Sequence, residues 1–230
     1  MLQLREHQQA VVDKLREGFK DGHRSQLLYA PTGFGKTETA MAIMQAVAAK
    51  FKKCAMVMDR IVLVDQTSRR LDKYGIEHGV MQAGHWRDRP EEHIQICSSE
   101  TLELRKTFPD IDLLIIDECH ITRAGIVKFI RENPQIKVIG LTATPFTKGL
   151  GKIYSKLVVG ATTAQLTDEG YLVPVKVFAP SKPDLTKLRT IGGDYDEKEL
   201  FARVNKPKLI ADVVDTWIKL GENRPTIGFA

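Results

Sequence analysis

Ser25-Gln26-Leu27-Leu28-Tyr29-Ala30-Pro31-Thr32-Gly33-Phe34-Gly35-Lys36-Thr37-Glu38 holds a short apolar run, a loop rich in Pro and Gly, and the opening of a helix. Residues 38–50 are rich in Ala and Met, which lose little freedom in a helix, so the loop ends at a helix N-terminus. Backbone amides in such a loop can surround phosphate oxygens, with the positive end of the helix behind them. Lys36 can then reach the β- and γ-phosphates of a nucleotide, and the Thr37 hydroxyl can ligate Mg²⁺. Thr32, Gly33, Phe34, Gly35, Lys36 and Thr37 are therefore the expected nucleotide-binding residues. The pattern expects Gly where Ala30 stands. The plainer alternative, a Gly/Thr-rich turn of structural purpose alone, is outweighed by the order strand, loop, helix.

Outward from this run, strand and helix alternate. Residues 4–19 place Ala10, Val11, Leu15 and Phe19 at helical spacing. A strand is expected at 54–58, a helix at 61–74, a strand at 94–97 and a short helix at 99–106. A buried strand follows at 113–116, a helix at 126–132 and a strand at 137–141. Several of these strands are continuously apolar, which predicts an α/β fold with a mainly parallel central sheet and helices on both faces. After Pro145 the pattern loosens. A short helix is expected at 163–169, an extended run at 173–179 and a polar loop at 180–195. Asn205 reads as an N-cap, with Pro207 opening a helix whose apolar stripe is Leu209, Ile210, Val213, Val214, Trp217 and Ile218. Residues 226–230 resemble a strand just begun, so a second domain is expected to follow.

The apolar strand at 113–116 runs straight into Asp117-Glu118-Cys119-His120. It delivers adjacent carboxylates to its C-terminal edge, where ligands bind in open α/β sheets. One can hold Mg²⁺ through water while the next polarises an attacking water, the two tasks phosphoryl transfer needs beside a phosphate loop. Asp117 is the expected metal-side residue and Glu118 the expected base. An acidic pair after a strand can also serve a helix N-terminus alone; the upstream loop favours the catalytic reading.

Composition bounds the class. A hydrophobic fraction of 43% and a charged fraction of 27% are those of a globular chain that buries a core without staples. The net charge of +5 permits polyanion binding without demonstrating it. The cysteines Cys54, Cys97 and Cys119 lack paired short spacing, and the first two sit in apolar runs as small buried hydrophobes. No signal-peptide stretch opens the chain and no apolar run spans a membrane, so a cytoplasmic setting is expected, in a host if phage-encoded.

Asp117-Glu118-Cys119-His120 resembles motif II of the superfamily-two DExH-box helicases, and Leu141-Thr142-Ala143-Thr144-Pro145 resembles motif III. Leu4-Arg5-Glu6-His7-Gln8 is similar to the adenine-reading motif of that superfamily, residues 58–66 to motif Ia and 98–102 to motif Ib. Residues 165–174, with Gly170-Tyr171-Leu172-Val173-Pro174, look like the phage and DNA-repair type. The resemblance implies a RecA-like P-loop domain at 1–204, a linker helix at 205–222 and the start of a second RecA-like domain at 223–230. It implies an ATP-driven helicase or translocase on DNA, with ATP and Mg²⁺, that would be weak as an isolated domain because arginine fingers come from the second. Lys36, Asp117, Glu118 and His120 would be catalytic, and Gln8 would read adenine. Arg60, Gln66 and Thr101 would touch the nucleic-acid backbone, and His120 with Thr142 and Thr144 would couple the two sites. His120 reads equally as a satisfied core histidine, and Trp86 reads more plainly as a core or loop anchor than as a base-stacking residue. An RNA-remodelling ATPase, the motor of a restriction system and a non-catalytic binding module stay open as alternatives.

Overall fold

Helix and strand alternate as the apolar runs prescribe. In the computed structural model, which describes residues 2–178, 183–191 and 194–227, the chain divides into two compact units, Met1–Val173 and Pro174–Ala230. The first contains α1 (Glu6–Lys20), β1 (Ser25–Tyr29), α2 (Lys36–Ala48), β2 (Cys54–Met58), α3 (Ile61–Lys73) and β3 (Gly79–Met81). It continues through β4 (Ile94–Ser98), α4 (Ser99–Arg105), β5 (Leu113–Ile116), α5 (Ala124–Glu132), β6 (Lys137–Thr142), β7 (Lys156–Val159) and α6 (Thr163–Asp168). Its seven strands form one sheet in the order β3-β4-β2-β5-β6-β1-β7, every neighbouring pair parallel.

The alternation of side chains across each strand builds a core on both faces. Met56 and Met58 join Leu15 of α1, Met41 and Met44 of α2 and Leu71 of α3 on one face. Ala55 and Val57 join Leu102 of α4 and Ile126 and Ile130 of α5 on the other. Each fully buried large side chain contributes about 1.5–3 kcal/mol. The cysteines behave as expected of small hydrophobes: all are buried, and burial pushes their thiols up to about 12.

Two strands of this sheet were not foreseen. Both β3 and β7 lie at sheet edges, where short strands with one ladder partner carry little apolar signal. In the second unit, the expected 180–195 loop holds a small antiparallel pair, Thr190–Ile191 with Asp194–Tyr195. An unforeseen helix, α7 (Glu197–Val204), follows; Asp196 caps it by accepting from the amides of Lys198 and Glu199. Asn205 closes α7, and the N-cap of α8 (Pro207–Leu220) is Lys206, with Pro207 at the first turn. Residues 173–178 form no regular strand. Ala179, residues 180–182 and 192–193, the side chains of Leu209 and Ile210, and the end of the expected closing strand at 228–230 lie outside the described residues. Among the described residues no helix is long and apolar enough to cross a membrane.

Candidate active site

Because all strands run the same way, β5, β6 and β1, adjacent in the sheet, end on one edge. The phosphate loop leaves β1 there, Asp117 and Glu118 leave β5, and Thr142 ends β6. The main chain ties them: Ala30 N–H donates to Thr142 O at 3.0 Å and Asp117 N–H to Val57 O at 2.9 Å.

The loop needs its glycines. Gly33 and Gly35 have φ of +84° and +89°, left-handed values that strain L side chains. A Cβ on Gly33 would lie 2.5 Å from Leu172 Cδ2, and one on Gly35 would lie 2.2 Å from Gln8 Nε2. Phe34 points its ring inward, fully buried and 4.9 Å from the His7 ring, so only its backbone faces the loop. Thr32 is exposed and Thr37 half-buried, and neither hydroxyl bonds to protein among the described residues.

Lys36 is the first residue of α2, and its ammonium lies 3.2 Å from Ala30 O and 3.8 Å from Glu118 Oε1. The loop lysine and Glu118 thus lie side by side. Burial, then the charge of Glu118, raises the Asp117 carboxyl above its ordinary range. Glu118 itself sits at φ +44°. Its Oε2 lies 3.4 Å from His120 Nδ1, which shares a hydrogen bond with Thr142 Oγ1 at 3.1 Å. Thr142 Oγ1 accepts the Thr144 N–H at 2.9 Å. A continuous chain therefore joins Lys36, Glu118, His120, Thr142 and Thr144. His120 is half-buried within it rather than enclosed in the core.

Gln8 does not lie on an exposed helix face. It is 4% exposed, and its Nε2 donates to Phe34 O at 3.1 Å and Gly35 O at 3.3 Å. Its Oε1 accepts the Arg5 N–H at 2.9 Å. One amide thus caps α1 and shapes the loop. Beside it the Tyr171 ring meets the His7 ring edge-on at 4.7 Å and lies 4.7 Å from the Arg5 guanidinium carbon.

Arg60 and Gln66 are exposed at the start of α3 and within it, with no side-chain hydrogen bond or ion pair among the described residues. Thr101 differs: it is 5% exposed and its hydroxyl accepts the Ala83 N–H at 3.3 Å. Trp86, read as a core or loop anchor, is 75% exposed. A further cluster escaped the sequence. Asp59 Oδ1 accepts from Ser99 Oγ at 2.9 Å and from Arg123 Nε at 3.0 Å. It joins the residues after β2 and β5 to the start of α4. The resemblance covers the stretches that hold Asp59 and Ser99 but not their pairing, since partners 40 and 64 positions apart leave no local pattern.

The residues fit Mg²⁺ with a nucleoside triphosphate. Glycines at 33 and 35 let the backbone turn where a Cβ would strike Leu172 or Gln8, a lysine stands by a carboxylate, and the Thr37 hydroxyl has no protein partner among the described residues. Hard oxygen donors of this kind suit Mg²⁺, which is held by few protein ligands and completes its shell with phosphate and water.

The family model described as "Type III restriction enzyme, res subunit" matches residues 1–147. A 51.5 kDa protein of Lactococcus phage (isolate 7-9) is 23% identical over 211 residues, covering 89% of this chain and 43% of that protein. The UvsW helicase of bacteriophage T4 superposes with a TM-score of 0.54 at 15% identity, over 67% of this chain and 59% of UvsW. The SWI2/SNF2 ATPase core of Sulfolobus solfataricus, solved in complex with dsDNA, superposes with a TM-score of 0.51 at 18% identity, over 66% of this chain and 34% of its own. This chain therefore spans less than half of the phage relative's length.

Proposed function

The chain belongs to the family described as type III restriction enzyme, res subunit, and from that premise we propose that it is a RecA-like motor domain of superfamily-two helicase type, the ATP-binding part of a DNA-dependent helicase or translocase. One observation carries the reading: the Lys36 ammonium lies 3.8 Å from Glu118 Oε1 on the edge where β1 and β5 end.

In this reading Lys36 leaves Ala30 O to draw the β- and γ-phosphates, and the amides of 33–37 hold their oxygens. Thr37 and Asp117 hold Mg²⁺, which when bound neutralises phosphate charge. Glu118 orients the attacking water and accepts its proton at the carboxylate. Gln8 keeps the loop in shape and offers the remaining lone pair of Oε1 to the adenine amino group. His120, Thr142 and Thr144 carry the state of the nucleotide from the end of β5 to the end of β6. Arg60 and Gln66 contact backbone phosphates, while Thr101 supports Ala83. A second RecA-like domain supplies the arginine finger, worth about 10³–10⁵ in rate. On this proposal residues 1–204 form the motor domain, 205–222 a linker helix and 223–230 the start of the second domain, in a cytoplasmic protein. DNA is favoured over RNA because the resemblance is to DNA-repair types and because the SWI2/SNF2 core was solved with dsDNA.

Calorimetric titration with Mg²⁺–ATP tests the site. The parent chain is expected to bind and Lys36→Ala to lose binding, since the phosphates lose their cation. Equal affinity in both would remove the phosphate-loop assignment.

A further inference from the structure

Trp86 presents 75% of its surface to solvent, although an indole is ordinarily largely covered. It stands in the loop of residues 82–93, which leaves the C-terminal end of β3 and returns to β4. The loop is pinned on both sides. Ala83 N–H donates to Thr101 Oγ1 of α4 at 3.3 Å, His85 Nε2 lies 3.4 Å from Asp65 Oδ1 of α3, and Arg87 pairs with Asp72 of α3 at 2.8 Å. These are the same two helices that carry Thr101 and Gln66.

The indole rests on its pinned neighbours. The His85 ring is nearly parallel to it, 22° off at 5.8 Å, and the Arg87 guanidinium carbon lies 4.5 Å from its centroid. The side chains of His85 and Arg87 are only 9% and 10% exposed, so Trp86 is held over fixed groups while its own ring faces outward. A cleft of about 360 Å³ beside it is lined by Asp65 and Asp72, which face His85 and Arg87, and by Arg69, which is exposed and has no ion pair among the described residues. The sheet order puts β3 five strand spacings from β1, about 24 Å at about 4.8 Å per strand. A base stacked here therefore cannot be the adenine of a nucleotide held by Lys36.

We propose that Trp86 is a stacking platform for an unpaired base of single-stranded DNA lying across the edge where β3, β4 and β2 end, with Arg69 and Arg60 beside its phosphates. The inference rests on the nucleic-acid reading above and assigns a contact that reading lacks. An indole face with a cation beneath it accepts any base, so the contact tolerates sequence, as a translocating motor requires.

Trp86 and Trp217 are the two tryptophans of the chain, so Trp217→Phe leaves Trp86 as the sole indole emitter. Titration of that variant with a short oligothymidylate is expected to quench the emission. An abasic strand of the same length, held by phosphates alone, is expected to leave it bright. Trp86→Ala is expected to weaken oligothymidylate binding about tenfold or more, and Trp86→Phe to recover part of the loss. The salt dependence should stay unchanged in both, because no phosphate contact is removed, whereas Arg60→Ala should flatten it. If oligothymidylate binds while Trp86 emission stays constant and Trp86→Ala binds like the parent, stacking is overturned, the nucleic-acid reading stands, and the face belongs to another partner. If the parent binds neither strand, the nucleic-acid reading falls and takes this proposal with it.

Discussion

Glu118 keeps its backbone at φ +44°, where a non-glycine residue costs about 1–3 kcal/mol and persists only when its surroundings over-determine it. The surroundings here are chemical. Lys36 lies on one side of the carboxylate and His120 on the other, at 3.8 and 3.4 Å. From this turn the carboxylate comes within 3.8 Å of the Lys36 ammonium. Glu118→Gln keeps the shape and removes the proton acceptor. It is expected to retain Mg²⁺–ATP binding and to lower the rate of phosphate release about 10²–10⁴-fold. Equal loss of binding and hydrolysis would make Glu118 a structural residue. The same scale explains Gln8: a single amide that caps α1 and bonds two loop carbonyls looks, in sequence, like any polar residue on a helix.

Between elements, polar ties hold the working edge of the sheet. The chain His120–Thr142–Thr144 joins the turn after β5 to the end of β6. Asp59, Ser99 and Arg123 join the ends of β2 and β4 to the start of α5. The Ser99 hydroxyl first, and then Arg123, holds the Asp59 carboxyl below its ordinary 3.8. At the start of β2 the backbone N–H of Lys53, then the Lys52 side chain, does the same for Asp112. A carboxyl whose value is depressed by folding contributes stability that is complete above the unfolded value and lost as pH falls through the folded one. The urea midpoint is therefore expected to decline as pH drops below 3.8, and Asp59→Asn to make that decline shallower. An Asp59→Asn midpoint that tracks the parent at every pH would show the cluster to be idle in the folded balance.

At the scale of the whole molecule, the parallel sheet divides the labour along one edge. The strands β5, β6 and β1 end at the proposed phosphate site, and β3, β4 and β2 lead into the Trp86 loop, α4 and Arg60. Every residue of the phosphate site and every strand of the sheet falls within Met1–Val173. A fragment ending at Val173 is expected to fold cooperatively and to bind Mg²⁺–ATP with the affinity measured for the 230-residue chain. Circular dichroism with the same calorimetric titration checks this. A fragment that folds yet does not bind would place part of the nucleotide site beyond residue 173.

The sequence alone determined the α/β class, the parallel sheet and the places in it of the glycine loop and the acidic pair. These depend on contiguous residues: buried strands of four or five apolar side chains, and a loop whose backbone can only be shaped by glycine at two positions. Only the tertiary structure decided that Gln8 holds the loop, that Thr101 turns inward to Ala83, that Arg123 reaches Asp59 and that Trp86 stands in solvent. Each of those depends on groups brought together from distant positions. Exposure and pairing are properties of the packed chain, and no local spacing of residue types encodes them.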